Sequence, residues 1–428
     1  MTKKILNNNF QSLEEMDWVT EKCVRCNMCK FPPLARVESK AYSIGCPSFD
    51  YFKFHANSGG GKLIMSSSLM QGRSQITEAV CKTVYGCLLC GACDTSCKYN
   101  ADIEVLETLF MLRNRVFLEG KLYDAHKAVL DCIRTVGHPL VELRDAVNQM
   151  PADIHTPGAA TLVWGGPYFS YDPAFKSWSE KMLQLLGKGG LRFQLLLSKE
   201  PYTGRAALEI GDRELFKQQS KKVAQAIEQT KAQKIICLSA EDYSTLRSQT
   251  PKFVELHTPI YHVTEIYEKL VNKSAFKGKP VNRPKLAWHD PTYLGRLGGQ
   301  YVAWEGTNEK EDRGIRAYVP PRKIDYGTGG VFEAPRNVLA KITGKPVSEF
   351  SLKNEYAYGA GETGQAQAVM PSFVSATAAK RVREAIDHGI ETIVTECPQA
   401  WRTLHAAAQA DQQVDVVSLT ELLAQAYL

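Results

Sequence analysis

Apolar residues recur every three or four positions through much of the first third of the chain, which is the spacing of amphipathic helices. The pattern predicts helices at residues 62–70, 75–85, 103–118 and 124–135. Asp102 is a candidate N-cap for the third helix because it stands just before the periodic run. We therefore expect residues 1–150 to form a helical domain.

The pattern changes after a proline-containing linker near residues 150–157, where short β-rich runs begin to alternate with amphipathic helices. The predicted strands are 161–163, 192–197, 234–238, 285–288, 391–395 and 414–417. The predicted helices include 213–229, 264–271, 332–342 and 374–388. Such alternation is typical of α/β architecture, so the overall fold class is predicted to be α/β.

The α/β region contains two similar stretches. KIICLSAEDYSTL at 234–246 aligns with TIVTECPQAWRTL at 392–404, and Tyr171-Asp172-Pro173 aligns with His289-Asp290-Pro291. We interpret the region as two copies of one unit, at 158–280 and 281–428. The second copy carries a polar insertion at about 297–329, which we interpret either as a partner-docking segment or as a solvated loop.

Composition narrows the class of protein. The 428 residues are 44% hydrophobic and 23% charged, as in ordinary globular proteins. The net charge of +6 includes no run of Lys and Arg, so nucleic acid is not an expected partner. No apolar run reaches the ~18 residues of a membrane span, and the first residues lack a signal-peptide pattern. We expect a cytoplasmic protein, and peripheral membrane association stays open.

The cysteines indicate the chemistry. Nine of the twelve lie between Cys23 and Cys97. In a reducing compartment, clustered cysteines are more often metal ligands or catalysts than disulfides. Two C-x2-C-x2-C triplets, each with a more distant fourth cysteine, are the ligand pattern of cubane iron–sulfur clusters.

In two-cluster ferredoxins the fourth cysteine of each run binds the other cluster. On this rule two [4Fe-4S] clusters are predicted, and all eight ligands are cysteines: Cys23, Cys26, Cys29 and Cys97 for cluster I, and Cys46, Cys87, Cys90 and Cys93 for cluster II. The alternative is a pair of zinc sites in an interaction scaffold, although zinc usually takes its thiolates as separate C-x2-C pairs.

The segment Ser58-Gly-Gly-Gly-Lys62 resembles a phosphate-binding loop. It lacks the G-x4-G-K-[ST] spacing, and no strand precedes it. We expect a tight turn that packs near the clusters.

Four motifs resemble those of the iron–sulfur protein family of the heterodisulfide reductase D subunit: HDPTYLGR at 289–296, GVFEAPRNVL at 330–339, YGAGETG at 358–364 and TECPQAW at 395–401. The resemblance implies a helical two-cluster ferredoxin domain followed by two CCG repeats. In catalytic members the repeat cysteines hold an unusual, noncubane cluster that cleaves a disulfide.

Most of those repeat cysteines are replaced in this chain. The substitutes are Tyr202-Thr203 and Ser239 in the first copy, and Thr292, Ala357-Tyr358 and Ala400 in the second. Only Cys397 remains, so no noncubane cluster is expected. We interpret Cys397 as a structural remnant, with a lowered thiol pKa at a helix N-terminus as the alternative. His289 is interpreted as a loop anchor, with a ligand or acid–base role as the alternative.

These features predict an electron-transfer subunit without catalytic residues of its own. Its expected partners are other redox subunits carrying flavin or iron–sulfur centres. The resemblance suggests a complex of anaerobic metabolism, such as a class II benzoyl-CoA reductase or another heterodisulfide reductase-like assembly. The alternatives are the iron–sulfur subunit of a glycolate- or lactate-type dehydrogenase, and a disulfide reductase with atypical ligands.

Overall fold

The N-terminal third of the protein is helical. The computed structural model describes residues 3–6, 10–273, 277–283, 285–310 and 316–428. Strand β1 (Lys3–Leu6) is followed by seven helices: α1 (Asp17–Lys22), α2 (Pro47–Phe52), α3 (Gly59–Met70), α4 (Glu78–Tyr85), α5 (Ala92–Asn100), α6 (Val105–Leu118) and α7 (Asp124–Thr135). The four predicted helices are present as α3, α4, α6 and α7, with α3 starting three residues early and α4 three residues late.

Two predictions about helix starts are wrong. Asp102 does not cap α6, because its backbone is left-handed with φ of 44° and the N-cap position belongs to Glu104. The glycine segment, expected as a tight turn, is instead the first turn of α3. The Ser58 side chain caps that helix by accepting a hydrogen bond from the Gly61 N–H at 3.1 Å.

The rest of the chain contains two parallel three-stranded sheets. The first joins β2 (Thr161–Trp164), β3 (Lys234–Cys237) and β4 (Ile260–His262), and the second joins β5 (Leu286–Trp288), β8 (Thr392–Thr395) and β9 (Asp415–Ser418). Each first strand also forms an isolated parallel bridge, Leu162 with Gln194 and Ala287 with Ser348. The two sheets therefore have the same strand order and direction.

In the described part of this region, ten α-helices accompany these sheets. They are α8 (Gly166–Tyr171), α9 (Lys176–Lys188), α10 (Arg205–Ile210), α11 (Arg213–Thr230), α12 (Ala240–Ser244), α13 (Val263–Val271), α14 (Glu333–Thr343), α15 (Pro371–Asp387), α16 (Pro398–Asp411) and α17 (Leu419–Tyr427). The mixed α/β class is confirmed. The predicted strand at 192–197 is wrong, because only Gln194 forms a bridge and Leu197 turns left-handed with φ of 55°.

The predicted insertion contains an antiparallel hairpin of β6 (Glu305–Lys310) and β7 (Arg316–Val319), and β6 pairs with β1. Residues 311–315 of the insertion lie outside the described residues. The hairpin contacts the helical region: the Tyr318 hydroxyl donates to the Asp102 carbonyl at 3.3 Å, and Arg322 donates to the Asp102 carboxylate at 2.8 Å. The interpretation as a solvated loop is therefore wrong for the described part.

The described buried apolar side chains form one large cluster over both parallel sheets, a second over the helical region, and a small third in which Leu88, Cys90 and Ala92 meet Ala366, Phe373 and Val374. The second cluster includes Tyr202 and Phe216, so the helical region packs directly on the first α/β copy. The division of the chain at residues 150–157 and near 280 stays a prediction. Among the described residues, no helix is both long and apolar enough to cross a bilayer.

Candidate iron–sulfur centres

The first predicted ligand set, here called group I, consists of Cys23, Cys26, Cys29 and Cys97. Cys23 ends α1, Cys26 and Cys29 follow in the next loop, and Cys97 lies in α5. Burial raises the pKa of the Cys97 thiol most, followed by the negative charges of Asp94 and of the other three group I thiolates. The four sulfurs are therefore close enough to interact electrostatically.

The second set, here called group II, consists of Cys46, Cys87, Cys90 and Cys93. All four line one small cavity of about 20 Å³. Burial raises the pKa of Cys46 to about 12 and that of Cys93 well above its usual value, and neighbouring group II thiolates add to both shifts. The four thiols of group II therefore face one small cavity.

Helix α5 connects the two groups. It carries Cys93 of group II and Cys97 of group I, and residues four apart lie on the same face of a helix. The helix begins after Gly91, whose left-handed backbone, with φ of 75°, turns the chain from the Cys87–Cys90 loop into α5. The two groups are therefore neighbours along α5.

The first turn of α3 lies against both groups. A Cβ atom added at Gly59 would lie 2.7 Å from Cys93 Cβ, and one added at Gly60 would lie 3.2 Å from Cys29 Sγ. The Gly60 N–H donates to Cys29 Sγ at 3.1 Å. Because a side chain at Gly59 would overlap a group II cysteine, the glycines serve close approach of the backbone rather than phosphate binding.

Three buried cations surround group II, and the sequence reasoning missed all of them. The charge of Lys62 lowers the pKa of Cys46, and that of Arg296 lowers the pKa of Cys90, although burial raises each more strongly. Arg113, which is fully buried, donates to the Cys87 carbonyl and to the Gly364 carbonyl at 2.6 Å. Lys62 ends the glycine segment and Arg296 ends the HDPTYLGR motif, whereas no sequence pattern indicates a role for Arg113.

The donor set suits a cubane cluster. All twelve cysteines carry free thiols. Ionising several neighbouring buried thiols is unfavourable unless a metal binds the thiolates. Iron–sulfur clusters are held by all-cysteine ligand sets of this kind. Within the described ranges, no group of three or more His, Cys, Asp or Glu side chains is arranged around a single metal ion.

The cysteine-replacing residues of the first copy belong to a buried polar network. The Tyr202 hydroxyl donates to Glu241 Oε1 at 3.0 Å, while the Thr203 and Ser239 hydroxyls each donate to Asp242 at 2.7 Å. Burial raises the pKa of both carboxyl groups. Hydroxyls therefore occupy the positions at which the resemblance implies thiolates, and buried carboxylates accept their hydrogen bonds.

In the second copy a carboxylate again occupies the motif. Glu362 accepts hydrogen bonds from the Thr292 N–H at 2.8 Å and the Ala360 N–H at 2.7 Å. Cys397 is fully buried and its thiol donates to Gln399 at 3.4 Å. Burial raises its pKa well above the usual value, so the alternative of a lowered pKa is wrong.

His289 is fully buried, and its Nδ1 accepts a hydrogen bond from Arg381 Nε at 3.3 Å. Burial and the neighbouring Arg381 charge lower its pKa well below the usual value. A neutral, buried imidazole held by an arginine fits the interpretation as an anchor.

The comparisons with known proteins agree with the motifs. No family model matches the chain. The chain is 24% identical over 353 residues to the D subunit of the dihydromethanophenazine:CoB–CoM heterodisulfide reductase of Methanosarcina barkeri, covering 80% of this chain and 78% of that one. It is 25% identical over 368 residues to the EtfAB:quinone oxidoreductase of Syntrophomonas wolfei, covering 80% of this chain and 46% of that protein.

A third relative is a probable membrane-anchored ferredoxin of Chromohalobacter salexigens. It is 21% identical over 235 residues, which cover 52% of this chain and 34% of that one. The similarities to the heterodisulfide reductase D subunits extend over four fifths of the chain, and they confirm its resemblance to that family of proteins.

Proposed function

We propose that the protein is an electron-transfer subunit of a multi-subunit oxidoreductase complex and that groups I and II each hold one [4Fe-4S] cluster. The observation that carries the proposal is the single cavity lined by Cys46, Cys87, Cys90 and Cys93. The names of the relatives, which include reductase subunits and a ferredoxin, support the same general function.

The chain's own residues would position the clusters and set their surroundings. Bound four-iron clusters supply one-electron carriers whose potentials depend on hydrogen bonds, charge and burial. The Gly60 N–H would stabilise negative charge on the Cys29 sulfur, and Lys62 and Arg296 would do so at group II. The low exposure of Cys46, Cys90 and Cys93, at 8%, 9% and 8%, would keep water away from the second cluster.

The proposal assigns no catalytic step to the two α/β copies. A noncubane cluster would need several thiolates, whereas the matching positions carry hydroxyls and the nearby side chains are buried carboxylates. The protein would thus pass electrons between partner subunits. A class II benzoyl-CoA reductase-type complex is our preferred setting, and the glycolate- or lactate-type dehydrogenase subunit is the alternative.

The test is to purify the native assembly without oxygen and to identify the subunits that co-elute with this chain. We expect flavin or iron–sulfur partners, and broad absorbance near 400 nm that decreases when the physiological donor of the assembly is added. A colourless chain with stoichiometric zinc would contradict the proposal. Iron well above about eight per chain would instead support a disulfide reductase with atypical ligands.

A further inference from the structure

The two cysteine groups differ in their access to solvent. Cys26 of group I is exposed, and Cys23 and Cys29 are half-buried. In group II, Cys46, Cys90 and Cys93 are buried and Cys87 is half-buried. Electron exchange with another protein requires a redox centre close to the contact surface. Group I is therefore better placed than group II to exchange electrons with a partner protein.

The segment that presents group I, residues 23–40, is here called the group I loop. It exposes two aliphatic side chains, Val24 at 75% and Leu34 at 83%, which are among the most exposed large apolar residues described. They flank the exposed Cys26 in sequence. Apolar side chains at such high exposure are typical of a surface that a partner covers.

The group I loop is also basic. It contains four basic residues and one acidic residue, Glu38, which pairs with Lys353 at 3.5 Å. Arg25, Arg36 and Lys40 are exposed, and none of them has an ion-pair partner among the described residues. Unpaired cations around an exposed redox site attract an oppositely charged protein and speed its association.

The backbone of the group I loop is held in place by the cluster-bearing helix. The Ser96 hydroxyl of α5 donates to the Phe31 carbonyl at 2.8 Å, and the Gly45 N–H donates to the Lys30 carbonyl at 2.9 Å. A surface held in this way loses little conformational freedom when a partner binds.

We propose that the group I loop is the docking surface for an acidic one-electron carrier protein, with Arg25, Arg36 and Lys40 steering the encounter and Val24 and Leu34 packing in the contact. This inference rests on the proposed function. One electron passes between the carrier's iron–sulfur centre and group I, so that one centre is oxidised as the other is reduced and no bond forms or breaks. An anionic membrane is less suited to this surface, because it is a short loop rather than an amphipathic helix.

The test uses the full chain, isolated without oxygen, and a small acidic ferredoxin as the probe. The loop variant is R25E/R36E/K40E. The matched control is K176E/K221E/K222E, which reverses three exposed lysines of α9 and α11. Second-order rates of electron transfer are measured by stopped flow at low ionic strength and at about 0.5 M salt. Iron content and the rate of reduction by dithionite show that each variant keeps its clusters.

We expect the loop variant to react at least about tenfold more slowly than the wild type at low ionic strength, and the difference to disappear at high salt. The control variant should react within about twofold of the wild type. Equal rates for the loop variant and the wild type, or equal losses in both variants, would overturn the docking inference.

Two further outcomes separate the inference from the proposed function. If the loop variant loses binding to vesicles of anionic phospholipid while its rate with ferredoxin is unchanged, the surface is a membrane contact and the docking inference is wrong. If the wild type holds both clusters but does not react faster with the acidic ferredoxin than with a basic c-type cytochrome, the docking inference is also wrong, although the proposed function stands. A wild type without clusters would remove both.

Discussion

The substitution Gly59→Ala tests whether α3 is packed against an occupied group II. Gly59 lies in the first turn of α3, where its φ is not positive, so alanine can adopt the backbone conformation. The new Cβ would lie 2.7 Å from Cys93 Cβ, 3.1 Å from Cys93 Sγ and 3.3 Å from Val105 Cγ1. The substitution therefore changes contacts near one sulfur without removing any ligand.

The magnitude follows from the overlap. Carbon atoms normally approach to about 3.5–4.0 Å, so the Cβ–Cβ contact is about 1 Å too short. Overpacking of this kind costs about 1–3 kcal/mol. Alanine recovers about 0.5–1 kcal/mol of helix propensity. A cysteine bound to iron cannot move away freely, so the overlap is not relieved. We expect a net loss of about 1–2 kcal/mol in the free energy of cluster binding at group II, which weakens that binding roughly 5- to 30-fold.

The assay compares Gly59→Ala with Gly187→Ala in α9, where an added Cβ would meet nothing within 4 Å. Iron per chain and the electron paramagnetic resonance (EPR) spectrum after dithionite reduction are measured on anaerobic protein, together with the melting temperature. We expect Gly59→Ala to lose iron towards about four per chain and to lose the magnetic interaction between its centres. Gly187→Ala should keep all its iron and melt at a slightly higher temperature.

The reasoning would be refuted if Gly59→Ala kept about eight irons and an unchanged spectrum, and melted higher like the control. That outcome would mean that α3 retreats from Cys93 at no cost.

Three other substitutions test separate parts of the account. Cys90→Ala should lose about four irons per chain and lower the melting temperature, because metal–thiolate bonds contribute to folding; retention of all iron would contradict the assignment. Cys397→Ala should leave the iron content unchanged, and a loss of two or more irons would contradict the interpretation as a structural remnant. Burial raises the pKa of Glu396 to about 7. The folded protein therefore holds this proton more tightly than the unfolded chain does. Its free energy of unfolding should fall by up to about 3 kcal/mol as the pH rises from about 4.5 through 7. Glu396→Gln should remove that loss, measured as a smaller fall in melting temperature between about pH 5 and about pH 8; an unchanged fall would show that other groups cause it.

The assignment of the eight cysteines to two ligand sets stays a prediction. It rests on the ligand spacing, which a cluster constrains whatever fold surrounds it. In the α/β region the sequence predicted the helices α11, α13, α14 and α15 and the strands β2, β3, β5, β8 and β9, but not the other helices around them. It missed β4, which has only three residues, and it placed a strand at 192–197 where a left-handed Leu197 ends the extended run.

Long-range contacts account for the rest. Arg113 donates hydrogen bonds to the carbonyls of Cys87, Glu209 and Gly364, and no local pattern links those positions. Asp102 was a reasonable N-cap on local grounds, but it instead accepts hydrogen bonds from Tyr318 and Arg322 of the insertion. The buried carboxylates near the degenerate motifs could not be predicted either, because the motifs show only which cysteines are replaced.

The most direct test of the central claim is to count iron and sulfide in anaerobically isolated protein and to record its EPR spectrum at increasing degrees of reduction. We expect about eight irons and eight sulfides per chain, and two four-iron centres whose signals interact when both are reduced. A single four-iron centre, or a third centre that survives the loss of the eight N-terminal cysteines, would contradict it.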